Sequence, residues 1–356
     1  MHLLKSSNKN FKSHNNSHVK PNSYHPMKKD YTIFVTRQIP EAGLQILRKN
    51  FKNVIVNTKD RNLTHDELVK NVRGIDALLC LLNDKIDAEV IKNMDKCKVI
   101  SNYAVGFNNI DIAEATKRGI VVTNTPGVLT DATADLTWAL ILAVTRRIIE
   151  ADKFVRKKKF KGWAPMLLLG TELAGKTLGI IGAGRIGTAV GLRAKGFKMK
   201  VLYFNTNRNE TLEEEVGAKK VSLDTLLKNS DIITIHVPLT PKTRHLIGER
   251  EIKLMKKTAY LINTSRGEVV DEKALIKALK NKRIAGAGLD VFEQEPFVPD
   301  ELLKLDNVVL TPHIGSATFE ARTKMAIVAA ENIVKVLTGK IPANVVNPEV
   351  LKSSKL

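Results

Sequence analysis

From Tyr31 onward the chain alternates between short runs of β-branched and aliphatic residues and longer stretches in which apolar side chains recur at three and four. The runs 32–35, 54–56, 77–82, 99–102 and 120–123 predict strands, and 42–50, 66–72 and 87–94 predict helices between them. Pro126-Gly127 interrupts the rhythm, after which 131–154 predicts one long helix with Thr130 or Asp131 as its N-cap. A second alternation starts at Leu178, with strands expected over 178–181, 200–204, 232–236, 260–263, 287–290 and 308–311. Asp271 is placed to cap a helix reaching about Asn281, and a last helix over 318–337 is stopped by Gly339. Strand and helix in repeated alternation imply parallel sheets covered on both faces, so the expected fold class is α/β: two doubly wound domains with a cleft between them.

Residues 1–27 break this pattern. They are rich in Asn, Ser, His and Lys, lack apolar periodicity and read as a disordered basic tail; Met27 is a plausible second translation start. The tail has no apolar h-region, so it is not a secretory signal. His14, His18 and His25 read as part of a polar tail, and no metal site is expected.

Composition narrows the class further. With 43% hydrophobic and 26% charged residues the chain suits a globular protein, and no run approaches the ~20 apolar residues of a membrane span. Two cysteines, Cys80 and Cys97, make no disulfide framework, which suits a reducing cytoplasm. The net charge is +20; residues 1–29 carry six lysines and no acid, leaving 51 basic against 37 acidic residues in the remainder. That balance favours anionic ligands. The run Arg156-Lys157-Lys158-Lys159 reads as a solvated helix end, and no motif for a specific nucleic acid is present.

The candidate chemistry begins at Gly182-Ala183-Gly184-Arg185-Ile186-Gly187, which follows an apolar strand and opens a helix. In that context GxGxxG is a dinucleotide cradle of Rossmann type. Gly182 allows the tight turn, Gly184 lets the backbone approach a pyrophosphate, and Gly187 packs helix on strand. The amides from Ala183 to Ile186 would face the phosphates. The next strand runs into Asn205-Thr206-Asn207-Arg208 and carries no carboxylate where an NAD-selecting acid would sit, so the loop favours NADP, with NAD possible. Asn205, Thr206 and Asn207 can donate hydrogen bonds to a 2′-phosphate, and Arg208 adds charge.

Downstream lie three residues suited to moving hydride onto a 2-keto acid: Arg266, Glu295 and His313. A guanidinium grips a carboxylate with two parallel bonds and polarises the adjacent ketone. An imidazole can protonate the new alkoxide at neutral pH. A carboxylate on its other ring nitrogen fixes the tautomer and favours the imidazolium. The substrate pocket's width would depend on Leu81, Leu82 and Phe107. On this reading residues 28–126, completed by 313–348, form a substrate-binding domain, and 127–312 a dinucleotide-binding domain.

These segments resemble the D-isomer-specific 2-hydroxyacid dehydrogenase family over residues 30–348, and among its subgroups are most similar to glyoxylate/hydroxypyruvate reductases. The stretch Asn102-Tyr103-Ala104-Val105-Gly106-Phe107-Asn108-Asn109-Ile110-Asp111 resembles the family's substrate loop, and Thr123 to Asp135 its domain-crossing segment. The resemblance implies that the amides of Val105 and Gly106 hold the substrate carboxylate. It implies that Asp290 meets the nicotinamide carboxamide, and that Thr264, Ser265 and the turn from His313 to Gly315 line the cofactor. It also implies a homodimer through the coenzyme domains, with Trp163 similar to an aromatic that reaches the partner's pocket. Two departures stand out: Thr206 replaces an Arg in the ribose loop of archaeal-type glyoxylate reductases, and Asn108 replaces a frequent Asp. Phosphoglycerate and D-lactate dehydrogenases share the chemistry, and corepressor-like NAD(H)-sensing scaffolds share the fold.

Overall fold

The computed structural model describes residues 28–353; the basic tail 1–27 lies outside the described residues. Two wholly parallel sheets carry the chain. The first has five strands, β1 (Lys29–Val35), β2 (Phe51–Val56), β3 (Ala77–Cys80), β4 (Val99–Asn102) and β5 (Val121–Thr123), in the order β2-β1-β3-β4-β5. The second has seven: β6 (Thr177–Ile181), β7 (Lys200–Phe204), β8 (Lys219–Lys220), β9 (Ile232–Ile235), β10 (Tyr260–Asn263), β11 (Gly286–Leu289) and β12 (Val308–Leu310), in the order β12-β11-β10-β9-β6-β7-β8. β3, β4, β9 and β11 are buried along their whole length, as strands covered on both faces must be.

Each sheet reverses its strand order beside its first strand, which opens a crevice at the carboxyl ends of the strands. The chain crosses between the sheets twice, after β5 and after β12. The helix Phe319–Leu337, capped by Thr318, returns to the first sheet, where Met325, Ala326, Ala329, Ala330 and Ile333 pack with Ile33, Val35, Leu79 and Val99. Its small residues admit the helix Glu41–Asn50 so closely that a Cβ on Gly43 would lie 2.6 Å from the Ala326 carbonyl oxygen. The Ser101 hydroxyl donates to the Ala329 carbonyl at 2.9 Å across the same seam.

The strand expected over 77–82 stops at Cys80. Asp84 turns the chain there, its carboxylate accepting from the Leu81 amide at 2.7 Å and from the Thr36 hydroxyl at 2.5 Å. The single helix expected over 131–154 is two, Thr130–Thr145 and Ile148–Arg156, broken at Arg147 with φ 54°. The cause is long-range: the Thr171 amide donates to the Thr145 carbonyl at 2.8 Å; locally, Arg147 forks onto Glu150 at 2.6 and 2.9 Å. Neither Thr130 nor Asp131 caps the first of these helices. Leu129 is its N-cap, with no side-chain bond, and Asp131 instead meets Arg193 at 3.0 Å. Asp271 does cap the helix Glu272–Lys280. β8 has no counterpart in the expected strands, because two exposed lysines carry no apolar signal. No helix among the described residues is long and apolar enough to cross a membrane.

Candidate active site

The Gly-rich turn joins β6 to the helix Arg185–Arg193. Gly182 adopts φ +95°, and a Cβ there would press within 2.8 Å of the His236 and Val237 backbone. Gly187 lies directly over the Gly182 carbonyl, so helix and strand touch. A Cβ on Gly184, the N-cap, would meet nothing within 4 Å. The turn is therefore tight underneath and open on the side to which the first helical amides point, which is the cradle a pyrophosphate fills. A nicotinamide dinucleotide fits these residues, and Ala183, Arg185 and Ile186 complete the turn.

At the end of β7, the Asn205 amide donates to the Asn207 carbonyl at 3.1 Å. Asn209 ties this loop to the cradle through the Ala183 carbonyl at 2.9 Å and the Thr188 hydroxyl at 2.7 Å. Arg208, expected to offer charge here, is paired with Glu213, its Nε 3.2 Å from Oε2. Lys220 of β8 donates to the Thr206 carbonyl at 2.7 Å, bringing a cation that the sequence pattern did not reveal.

Beyond β10, Asn263 organises the next turn. Its Oδ1 accepts from the Ser265 amide at 3.0 Å and hydroxyl at 2.9 Å, while its Nδ2 donates to the Arg266 carbonyl at 2.8 Å. Thr264 is anchored from the long helix by the Thr137 hydroxyl at 3.0 Å. Arg266 leaves this turn and crosses to the first sheet. Its Nε donates to Asn108 Oδ1 at 3.1 Å and its Nη1 to the Ser265 carbonyl at 2.7 Å. Its Nη2 lies against the bare face of Gly106. Burial pushes the guanidinium down from its ordinary value, against the pull of Glu295 and Glu268. It remains a cation. Because Asn108 is neutral where an aspartate would be charged, it holds the arginine without cancelling it.

The substrate loop is held by its carbonyls. Asn124 donates to the Val105 carbonyl at 2.7 Å and Asn102 to the Gly106 carbonyl at 2.8 Å. The Val105 and Gly106 amides have no acceptor among the described residues, which leaves two donors beside a guanidinium. Asn109 straps the loop to the turn after β3 through the Leu81 and Asp84 carbonyls, both at 3.1 Å.

His313 and Glu295 meet as the sequence reading required. Nδ1 of the ring lies 2.7 Å from Glu295 Oε2, and Glu295 Oε1 accepts from the Phe292 amide at 3.1 Å. Burial works to raise the Glu295 carboxyl, but the His313 hydrogen bond and charge outweigh it and hold it below the ordinary carboxylate range. His313 sits at φ 54°, a left-handed conformation unusual for a residue with a side chain. Asp290 maintains it. Its backbone carbonyl accepts from the His313 amide at 2.9 Å; its Oδ1 accepts from Thr311 Oγ1 at 2.7 Å and the Ile314 amide at 2.8 Å, and its Oδ2 from the Gly315 amide at 2.8 Å. Asp290 is thus a clamp on the turn that presents the imidazole. Nε2 of His313 has no partner among the described residues.

Arg266, Glu295 and His313 line one cavity of about 1300 Å³, together with Leu81, Leu82 and Asn108. Phe107, which is 41% exposed, is not among its lining residues, and neither are Val105, Gly106 or the glycines of the cradle. Sequence reasoning missed Asn102, Asn124 and Asn263, whose acceptors are backbone carbonyls that no side-chain pattern announces.

The family model for the D-isomer specific 2-hydroxyacid dehydrogenase NAD-binding domain matches residues 138–315. A glyoxylate reductase of Thermococcus litoralis is 57% identical over 326 residues, covering 90% of this chain and 98% of its own. Among solved structures, a protein from Thermus thermophilus superposes with TM-score 0.83 at 44% identity, covering 88% of this chain and 99% of its own. The NADPH-dependent glyoxylate/hydroxypyruvate reductase of Sinorhizobium meliloti, solved with NADP and malonate, superposes with TM-score 0.79 at 30% identity, covering 90% and 98%. With a Gly-rich nucleotide cradle, and an arginine and a Glu–His pair on one cavity, the chain belongs to the D-isomer-specific 2-hydroxyacid dehydrogenase family and is an NAD(P)-dependent oxidoreductase.

Proposed function

We propose that the protein reduces glyoxylate, and hydroxypyruvate in the same site, to the 2-hydroxy acid, with NADPH as the preferred coenzyme. The observation that carries this reading is the meeting of Arg266, Glu295 and His313 on one cavity. The Val105 and Gly106 amides and Arg266 bind the substrate carboxylate, and the guanidinium polarises the ketone. The bound coenzyme supplies hydride to the carbonyl carbon. His313 Nε2 gives its proton to the carbonyl oxygen, and Glu295 stabilises the ring while it is charged. In the reverse direction the neutral ring takes the hydroxyl proton. Thr264, Ser265 and the turn from His313 to Gly315 flank the coenzyme, and Asp290 acts on it through that turn.

On this reading the first sheet with its returning helix is the substrate-binding domain, and the second is the dinucleotide-binding domain. The preference for NADPH is supported by Asn205, Thr206 and Asn207 standing where an acid would select NAD. A homodimer is supported by Phe160, Trp163, Met166 and Leu169, four exposed apolar side chains on one stretch of the coenzyme domain.

Steady-state assays of glyoxylate, hydroxypyruvate, pyruvate and bulkier 2-keto acids against NADPH and NADH test the reading. Consumption of reduced coenzyme with glyoxylate, lost in His313→Gln, is the expected result. Coenzyme binding without turnover of any keto acid would overturn it in favour of a nucleotide-sensing scaffold. Sedimentation at micromolar concentration tests the dimer.

A further inference from the structure

The ribose loop contains two cations, and only one is free to act. Arg208 and Glu213 form an ion pair, and the Tyr203 hydroxyl donates to the same carboxylate. The Arg208 guanidinium and the tyrosine hydroxyl hold Glu213 below the ordinary carboxylate range, so it stays ionised and answers Arg208. The pair is close to neutral as seen by a third charge.

Lys220 is different. β8 pairs in parallel with β7, setting Leu202 beside Lys219 and Tyr203 beside Lys220. From there the lysine reaches up the strand, and its ammonium donates to the Thr206 carbonyl at 2.7 Å. It forms no ion pair with any described carboxylate, although Glu213 is near enough to feel its charge. An ammonium has three donors, and the backbone contact takes one. The loop it touches is fixed in place, since Asn209 joins it to the pyrophosphate cradle through Ala183 and Thr188.

We propose that Lys220, not Arg208, is the residue that grips the 2′-phosphate of NADP(H) and sets the coenzyme preference, with Thr206 and Asn207 completing the contact. The carbonyl of Thr206 works as a rest that holds the flexible ammonium at the adenosine ribose before the ligand arrives. The inference deepens the coenzyme reading above and rests on it.

The test needs no turnover. The protein is titrated with 2′,5′-ADP and with 5′-AMP by calorimetry, and the ratio of the two affinities isolates the 2′-phosphate. The wild type is expected to bind 2′,5′-ADP more tightly. Lys220→Met should reduce that ratio by roughly tenfold, the low end for an exposed charge-assisted bond. It should leave 5′-AMP binding and the thermal midpoint in place. Lys220→Arg should keep most of the ratio, and Arg208→Met should change it by less than about threefold, since its charge is already answered. A ratio unaltered in Lys220→Met, or one that falls further in Arg208→Met, would overturn the assignment while leaving the NADPH reading intact. A wild type blind to the 2′-phosphate would remove both, and glyoxylate reduction with NADH would still stand or fall by its own assay.

Discussion

Gly106 and Arg266 leave no room for a side chain between them: a Cβ on residue 106 would run into Nη2 of the guanidinium. The contact joins the two halves of the cleft, since Gly106 follows β4 of the first sheet and Arg266 follows β10 of the second. The arginine is thereby set beside the two amides proposed to share the substrate carboxylate.

Gly106→Ala is therefore expected to displace the guanidinium by about an ångström and lower kcat/KM for glyoxylate roughly 10²-fold. The cradle is untouched, so coenzyme affinity should hold, and the residue is half-buried on a loop outside the hydrophobic cores, against the movable end of an arginine, so the thermal midpoint should move little. A kcat/KM within about threefold of wild type would show that Arg266 is not fixed by this contact.

The Asn102 and Asn124 clamps make a separate prediction. Each holds a carbonyl of the substrate loop, at 2.8 and 2.7 Å: Asn124, on the Val105 carbonyl, aims the Gly106 N–H of the same peptide, and Asn102, on the Gly106 carbonyl, fixes that residue from its other side. Asn102→Ala and Asn124→Ala should raise KM for the keto acid by about tenfold, the equivalent of one lost hydrogen bond to a charged group. Coenzyme dissociation constants should not change. Parallel losses in coenzyme binding would mean that the variants disturb the domain rather than the loop.

Much of this arrangement was legible in the chain because its strands are continuous apolar runs. β4 and β10 occupy the residues expected of them, since strands buried on both faces need no alternation to be recognised, and β7 does so with burial that alternates along the strand. The Gly182, Gly184 and Gly187 spacing was legible for a steric reason, and each glycine has the surroundings its place in the motif requires. What escaped depends on partners distant in sequence. The break at Arg147 follows from Thr171 capturing a carbonyl, and β8 exists because β7 offers it an edge. Lys220 could be placed beside the Thr206 carbonyl only once that pairing was known. Asp290, expected as a cofactor contact, also holds with both its oxygens the turn that carries His313, a role its place in the sequence did not announce.

The Glu295–His313 pair makes a prediction in pH. Glu295 is held below the ordinary carboxylate range, so it is ionised throughout neutral pH and keeps its favourable effect on the protonated ring. Glu295→Gln keeps the shape and removes the charge. The wild type should therefore hold the carboxylate's contribution across neutral pH and lose it only as pH falls far enough to protonate Glu295, below the ordinary carboxylate range, a loss that Glu295→Gln cannot show. The rate at the optimum should fall by about 10- to 100-fold. A rate at the optimum within about twofold of wild type in Glu295→Gln would show that the carboxylate's charge does not support the ring.

His236 predicts a change in stability rather than rate. It follows β9 beneath the Gly-rich turn, and both of its ring nitrogens are buried without a partner among protein atoms. Burial alone pulls its proton affinity down to about 3, from an ordinary 6.5. The folded protein therefore refuses a proton that the unfolded chain accepts as pH falls below about 6.5. The stability at stake is whole above that pH and drains away toward pH 3, by a total on the order of 5 kcal/mol. His236→Leu removes the titration while filling similar space. Urea midpoints measured from pH 7 down to pH 4 should then fall less steeply for the variant than for the wild type. The difference between the two slopes belongs to this ring, because Asp84, Glu272 and Asp290, whose carboxyls burial raises, are common to both proteins. Parallel slopes would mean that the imidazole finds a proton acceptor in the fold that its present surroundings do not supply.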